Sequence, residues 1–282
     1  MKTRTRFVLM EHCLSISAAF FAMVLMLVPV GNVVAAEPQP VANSGFDSYI
    51  DGIESRLARQ HQSQGSFLAG LDASENNRSR LRSGELIVEK LTPAKGPDLP
   101  GAMLHHWRAT AFVPGARAAD FERMMKDFNS YPQHFAPQVV QAHLLSERDD
   151  DGIDRVVASI RVRQKHIITV VMDIAYDVAF ARRDPQHGYS LSRSAHIAEI
   201  ESPGTSRERA LSASEEHGFL WRLITYWSWE ERDGGLYMQI ETVSLTRSIP
   251  EGLGWAIGPF VESVPRDSLE FTLRSACNVL RR

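Results

Sequence analysis

The sequence predicts an α+β fold: a strongly curved, seven-stranded antiparallel sheet wrapped on one long C-terminal helix, with an N-terminal helical extension. Three observations point there. Residues 166–182 place Ile168, Val170, Met172, Ile174, Tyr176, Val178 and Phe180 at every second position, the period of a strand with one buried face. The runs 218–231 and 236–247 flank Asp233-Gly234-Gly235, a hairpin signal. Leu269, Leu273, Ala276 and Leu280 then fall at i, i+4, i+7 and i+11 behind Pro265, an apolar stripe with a proline suited to a helix's first turn. The stripe needs a surface to bury it, and the sheet is the element large enough.

The 282 residues carry a net charge of −3, with 44% hydrophobic and 23% charged residues. That is ordinary globular composition. The near-neutral balance argues against a nucleic-acid partner, which needs clustered Lys and Arg. Two cysteines exclude a disulfide framework and a four-cysteine zinc site.

The elements follow in order. Lys2, Arg4 and Arg6 precede an apolar run over 14–30, and Val34 and Ala36 suit a signal-peptidase site. Residues 1–36 are therefore expected to be a signal peptide cleaved after Ala36, sending the protein to a periplasm or beyond. The alternative is an uncleaved anchor, the run being near the lower limit for a spanning helix. Residues 37–45 read as a polar leader. Phe46, Tyr49, Ile50, Ile53 and Leu57 predict an amphipathic helix over 46–60. Residues 61–82 read mostly as loop, 85–91 as a short strand, and 92–101 as a Pro/Gly linker. This divides the mature chain into an extension, 37–100, and a main domain, 101–282. In the main domain, strands are expected at 103–113, 139–146, 156–162, 166–182, 189–200, 218–231 and 236–247. Phe121, Met124, Met125 and Phe128 predict a helix over 118–128, followed by a short second helix or turn. Residues 250–259 read as a Gly/Pro-rich connector to the last helix.

This order of elements resembles the START-like (SRPBCC, helix-grip) superfamily. The stretch Tyr131-Pro132-Gln133-His134-Phe135-Ala136-Pro137 is similar to the Y-P-x-F-x-P-W region of its coenzyme Q-binding branch. It differs by one extra residue before Phe135 and by Gln138 in place of Trp. The resemblance covers 101–282 and implies an elongated, mostly apolar cavity between sheet and helix. The segment 37–100 has no counterpart in it, and its helix is expected on the outside of the sheet or over a cavity mouth.

Pairing across Asp233-Gly234 groups Phe219, Trp221, Leu223, Thr225, Trp227, Trp229, Met238, Ile240, Thr242 and Ser244 on one face. This face is the more apolar and is assigned inward. Trp221, Leu223, Trp227, Trp229, Met238, Ile240, Thr242 and, from the helix, Leu273 are the candidate ligand-binding residues. The other face holds Glu241 and Arg247, which a one-residue slip in register would turn inward to meet a polar head group; otherwise they form a structural or solvated ion pair. His105 and His106 are adjacent and so face opposite ways on a strand, a poor metal pair. Asp149-Asp150-Asp151-Gly152 reads as a hairpin tip and not a calcium loop. His166, Asp173 and Tyr176 are split between faces. No G-x-S-x-G elbow is present, and Cys277 reads as a core residue. No metal or cofactor motif emerges.

The leading expectation is an exported protein that buries a hydrophobic small molecule (a lipid, quinone or polyketide-like compound), with movement of the last helix or of the loop 252–259 and transient membrane contact. One rival is a cyclase or hydro-lyase using Glu241 or Tyr226 as acid–base groups. Another is an envelope scaffold with a filled core.

Overall fold

In a computed structural model the residues described are 37–63, 67–71, 74–94, 96–165, 168–249 and 254–282, with side chains of the last helix from residue 261 onward. The expected signal peptide and its site at Ala36 lie outside them, as do His166 and residues 250–253. The described elements are α1 (Pro40–Gln62), α2 (Glu75–Arg82), β1 (Ile87–Lys90), β2 (Ala102–Pro114), α3 (Ala118–Lys126), α4 (Tyr131–His134), β3 (Val139–Asp150), β4 (Ile153–Lys165), β5 (Thr169–Asp184), β6 (His187–Glu201), β7 (Arg209–Ala210), β8 (Arg222–Arg232), β9 (Gly235–Arg247) and α5 (Gly254–Leu280).

The strands form one antiparallel sheet in the order β1-β2-β9-β8-β6-β5-β4-β3, with β7 paired to β6. The seven long strands read from the sequence are all present, and two short ones, β1 and β7, make nine among the described residues. Hairpin chemistry sets the registers. Asp233 and Gly234 both take positive φ, 57° and 72°, and Arg232 pairs with Gly235. This is a two-residue turn whose twist matches the flanking strands. Asp151 and Gly152 do the same between β3 and β4, so the run of aspartates is a hairpin tip. Gly188 stands opposite Trp229, and a Cβ there would sit 2.3 Å from the indole; only glycine admits the ring.

Helix α5 lies across the sheet, contacting mainly β2 and also β9, α3 and α4. This is the helix-grip arrangement. Its Leu269, Leu273, Ala276 and Cys277 are buried in a core with Ala109, Ala111, Trp229 and Met238. Burial pushes the Cys277 thiol up to about 11, so it is a packed, protonated side chain.

The helix is longer than its sequence pattern. It starts at Gly254, not at Pro265, so residues 254–264, read as connector and approach, are helical. Pro265 thus sits inside the helix. A proline removes one i→i−4 bond there, and packing of the helix on the sheet outweighs that loss.

The other face of the sheet is covered by the N-terminal segment. Phe46, Ile50, Ile53 and Leu57 of α1 are buried against Leu104, Ile224, Tyr226, Val243 and Leu245. At about 1.5–3 kcal/mol per fully buried large apolar side chain, this stripe fixes α1 to the outside of the sheet. Two expectations are corrected here. The helix begins at Pro40, in what read as a leader, because proline suits a first turn. Residues 75–82 are helical and not loop: the Ser74 hydroxyl accepts from the Asn77 N–H at 3.2 Å, an N-cap. Its exposed faces are polar and only Leu81 is buried, so no apolar period announced it. Phe67, Leu68, Leu71 and Leu81 close the remaining outer surface over Phe112 and Tyr237. Among the described residues no helix is long and apolar enough to cross a membrane.

Candidate functional site

On the side of the sheet facing α5, the core does not fill the space. A cavity of ≈ 680 Å³ remains, far above the water-sized voids of ordinary protein interiors. Alternation along the strands decides its lining. From β4 and β5 come Ile160, Val162, Val170, Met172, Ile174, Tyr176 and Val178; from β8 and β9 come Leu223, Thr225, Trp227, Ile240, Thr242 and Ser244. Helix α5 contributes Val261, Val264, Ser268, Leu269, Phe271 and Thr272, and the short helical segments contribute Met125, Phe128, Tyr131 and Phe135.

Those short helices close one end with aromatic rings. Phe128, Tyr131 and Phe135 pack in sequence, the first pair tilted and the second edge-to-face, with centroids 4.9 Å apart at each step. The Tyr131 hydroxyl donates to the Met125 carbonyl at 2.6 Å. Burial pushes the phenols of Tyr131 and Tyr176 well above the ordinary tyrosine range, so both are neutral donors. Gln138, whose backbone N–H donates to the Phe135 carbonyl at 3.0 Å, Gln164, Arg247 and the loop His217–Leu220 also border the cavity. Buried Glu199 holds that loop. It accepts from the backbone N–H groups of His217, Gly218 and Phe219 at 3.0, 3.0 and 3.1 Å, and pairs with His217 Nδ1 at 2.7 Å.

The residues singled out in the sequence divide into groups. Leu223, Trp227, Ile240 and Thr242 are in the cavity wall. Trp229, Met238 and Leu273 face the same side but are sealed in the packed core beside it, at 1%, 0% and 0% exposure. Trp221 goes the other way and joins the outer cluster of α1. It precedes the first paired residue of β8, Arg222, where strand alternation does not yet apply. The sequence reading missed Gln164, Ser192 and the α5 side chains Val261 to Thr272. Period-two spacing in β5 did signal its share of the wall.

Glu241 and Arg247 are not a pair. Arg247 borders the cavity, whereas Glu241 is 2% exposed on the outer face beneath α1. There it bonds His106 Nε2 at 2.8 Å and Arg56, with Arg108 Nη1 at 3.9 Å. Tyr49 OH bonds the other nitrogen of His106, 2.7 Å away. Burial pushes the Glu241 carboxyl up, but His106, Arg56 and Arg108 outweigh it and leave the group below the ordinary range. Glu241 thus has the outward facing assigned to it from the hairpin, and the slipped register that would have turned it toward a head group does not occur. Tyr226 is likewise outside the cavity, donating to Glu54 at 3.0 Å. The acid–base groups of the enzyme alternative thus lie across the sheet from the space where a substrate would sit. His105 turns to the α5 side and bonds Thr246 Oγ1 at 3.1 Å, away from His106. Asp173 is bound to Arg161 at 2.6 and 2.7 Å. Among the described residues no cluster of His, Cys, Asp or Glu has the makings of a metal site.

No family model and no curated protein matches the chain. Among solved structures it is similar to a STAR-related lipid transfer protein fragment from Xanthomonas axonopodis, at 16% identity and a TM-score of 0.41, covering 69% of this chain and 99% of that one. It is also similar to the Zhui aromatase/cyclase from Streptomyces sp. R1128, at 15% identity and 0.41, covering 64% and 95%. Human STARD10 matches at 9% identity and 0.40, covering 74% and 80%.

Proposed function

We propose that this is an exported START-like protein that binds a hydrophobic small molecule, such as a lipid, quinone or polyketide-like compound, between its sheet and α5. The observation that carries the reading is the cavity itself: ≈ 680 Å³, enclosed largely by aliphatic and aromatic side chains. That is the size and chemistry of a small-molecule site. Binding is driven by burial, at about 25 cal/mol per Å² of apolar ligand surface removed from water. The few polar groups at the cavity set orientation. Displacement of α5 from the sheet opens the way in, because that helix forms one side of the space. The acid–base groups of the enzyme alternative, Glu241 and Tyr226, lie on the α1 side of the sheet and not in the cavity, which favours binding over chemistry by those groups. Export is inferred from the basic residues, apolar run and Ala36 of the leader.

The test is native mass spectrometry of the protein purified from a lipid-rich host, followed by solvent extraction. The expected result is a bound apolar molecule at one per chain. No extractable molecule, together with no uptake of lipids offered in excess, overturns the reading.

A further inference from the structure

The cavity carries a line of hydroxyls that the protein leaves unpaired. Ser192 of β6 is in register with Thr225 of β8, and Thr225 with Thr242 of β9. The three stand side by side on adjacent strands, about 4.8 Å apart per strand step. Ser244, two residues along β9, has the same facing. All four line the cavity, and among the described residues none has a side-chain hydrogen bond. The outer face of the same strands is handled differently: Gln239 bonds Thr110 and Ala69, and Ser228 bonds His61.

The opposite lining is mostly hydrocarbon. Ile160, Val162, Met172 and Ile174 on β4 and β5, and Val261 and Val264 on α5, supply it, with Gln164, Tyr176, Ser268 and Thr272 as polar exceptions. The cavity therefore has a mostly hydrocarbon side and a side that carries the in-register hydroxyl row. A simple acyl chain would cover these hydroxyls without bonding them. Each buried hydroxyl left unmet weakens binding by about tenfold relative to one that is met.

We propose that the cavity selects an elongated, facially amphipathic molecule, with hydrocarbon along one side and several oxygen functions along the other to meet Ser192, Thr225 and Thr242. This rests on the ligand-binding reading above and narrows it. The in-register row supplies donors and acceptors along a line, so it recognises a rigid or extended molecule better than a single polar head.

The test uses displacement of an apolar fluorescent dye by matched probes. Cholic acid carries ring hydroxyls on one face, 5β-cholanic acid is the same skeleton and carboxylate without them, and palmitic acid is a plain acyl chain. Thr225→Val combined with Thr242→Val keeps shape and deletes two hydroxyls. The expected result is that the double variant weakens cholic acid by about tenfold or more while cholanic and palmitic acids are unchanged or tighter. Equal changes for cholic and cholanic acids overturn the inference, as does palmitic acid displacing the dye from the unmodified protein where cholic acid does not. Either result leaves the ligand-binding reading standing. If the dye and all three probes fail to bind, both fall. Should the double variant not fold, the unmodified protein decides: cholic acid must bind at least as tightly as the more apolar cholanic acid.

Discussion

The two faces of one sheet are built to opposite rules. On the outer face, α1 and the segment after it fill the surface with Phe46, Ile50, Ile53 and Leu57, and His106, Ser228 and Gln239 there have partners, although Glu241 Oε2 accepts no hydrogen bond among the described residues. On the inner face, α5 bridges a cavity whose hydroxyls are left without partners. Neighbouring residues of β9 show the contrast: Glu241 and Val243 belong to the filled side, Thr242 and Ser244 to the hollow one. Buried polar groups are normally paired, so a row of unpaired hydroxyls is what the proposed ligand would satisfy.

The largest expected effect comes from emptying the filled side. Phe46 is 0% exposed, and Phe46→Ala is expected to cost about 4 kcal/mol in urea unfolding. Leu223→Ala on the cavity wall is expected to cost about 1–2 kcal/mol, since part of its surface already faces empty space, and to weaken dye binding. Equal losses at the two sites would erase the distinction between the faces.

Next is the charge cluster. Glu241→Ala strands His106 and Arg56, and breaking such a buried pair costs about 3 kcal/mol. Because Glu241 lies across the sheet from the cavity, dye affinity of the folded variant is expected to stay within twofold. Its carboxyl is held below the ordinary range in the folded protein, so it stabilises above the unfolded carboxylate value of about 4.3 and that contribution fades as pH falls below it.

Histidines sharpen the comparison at milder pH, because each face has an imidazole whose pKa burial lowers. Burial, then Arg56 and Arg183, lowers His61 to about 4. Burial, opposed by Glu262 and aided by Lys90, lowers His105 to about 4. Below the unfolded value of about 6.5 the unfolded chain takes up protons that the folded protein refuses. Stability is therefore flat above that pH and falls between it and 4, by about 2 kcal/mol per histidine at pH 5. His61→Gln and His105→Gln are each expected to remove one such increment from the difference between urea midpoints at pH 7 and pH 5. An unchanged difference would show the imidazole to be accessible to protons.

The legibility of the molecule follows the same division between local and remote information. The strands were readable because a one-sided strand writes its facing into every second residue, as in β5. Asp233-Gly234 named its own turn. The start of α5 was not readable: Pro265 inside a helix looks like a beginning. The α2 helix was hidden because its single buried residue, Leu81, makes no period. The partners of Glu241 come from α1 and β2, more than a hundred residues away in the chain for each, so no local pattern contains them. Thr225, Thr242 and Ser244 were assigned inward, but the row they form with Ser192 needed the β6–β8 register. Trp221 shows the limit of alternation at a strand's entry.

Adding bulk separates the two faces at neighbouring positions. Val243→Phe, on the filled side, is expected to destabilise by about 1–3 kcal/mol through overpacking. Thr242→Phe, one residue away, is expected to change stability by less than ~1 kcal/mol, because the cavity has room for the ring, and to lower dye affinity at least tenfold.

The most direct measurement is a fluorescence titration of the protein with an apolar, environment-sensitive dye, alongside Ile174→Trp, which fills the cavity from β5. Saturable binding at one dye per chain, lost in Ile174→Trp while the variant unfolds as cooperatively as the parent, is the predicted result. Binding that does not saturate, or that survives Ile174→Trp unchanged, would contradict a ligand site between the sheet and α5.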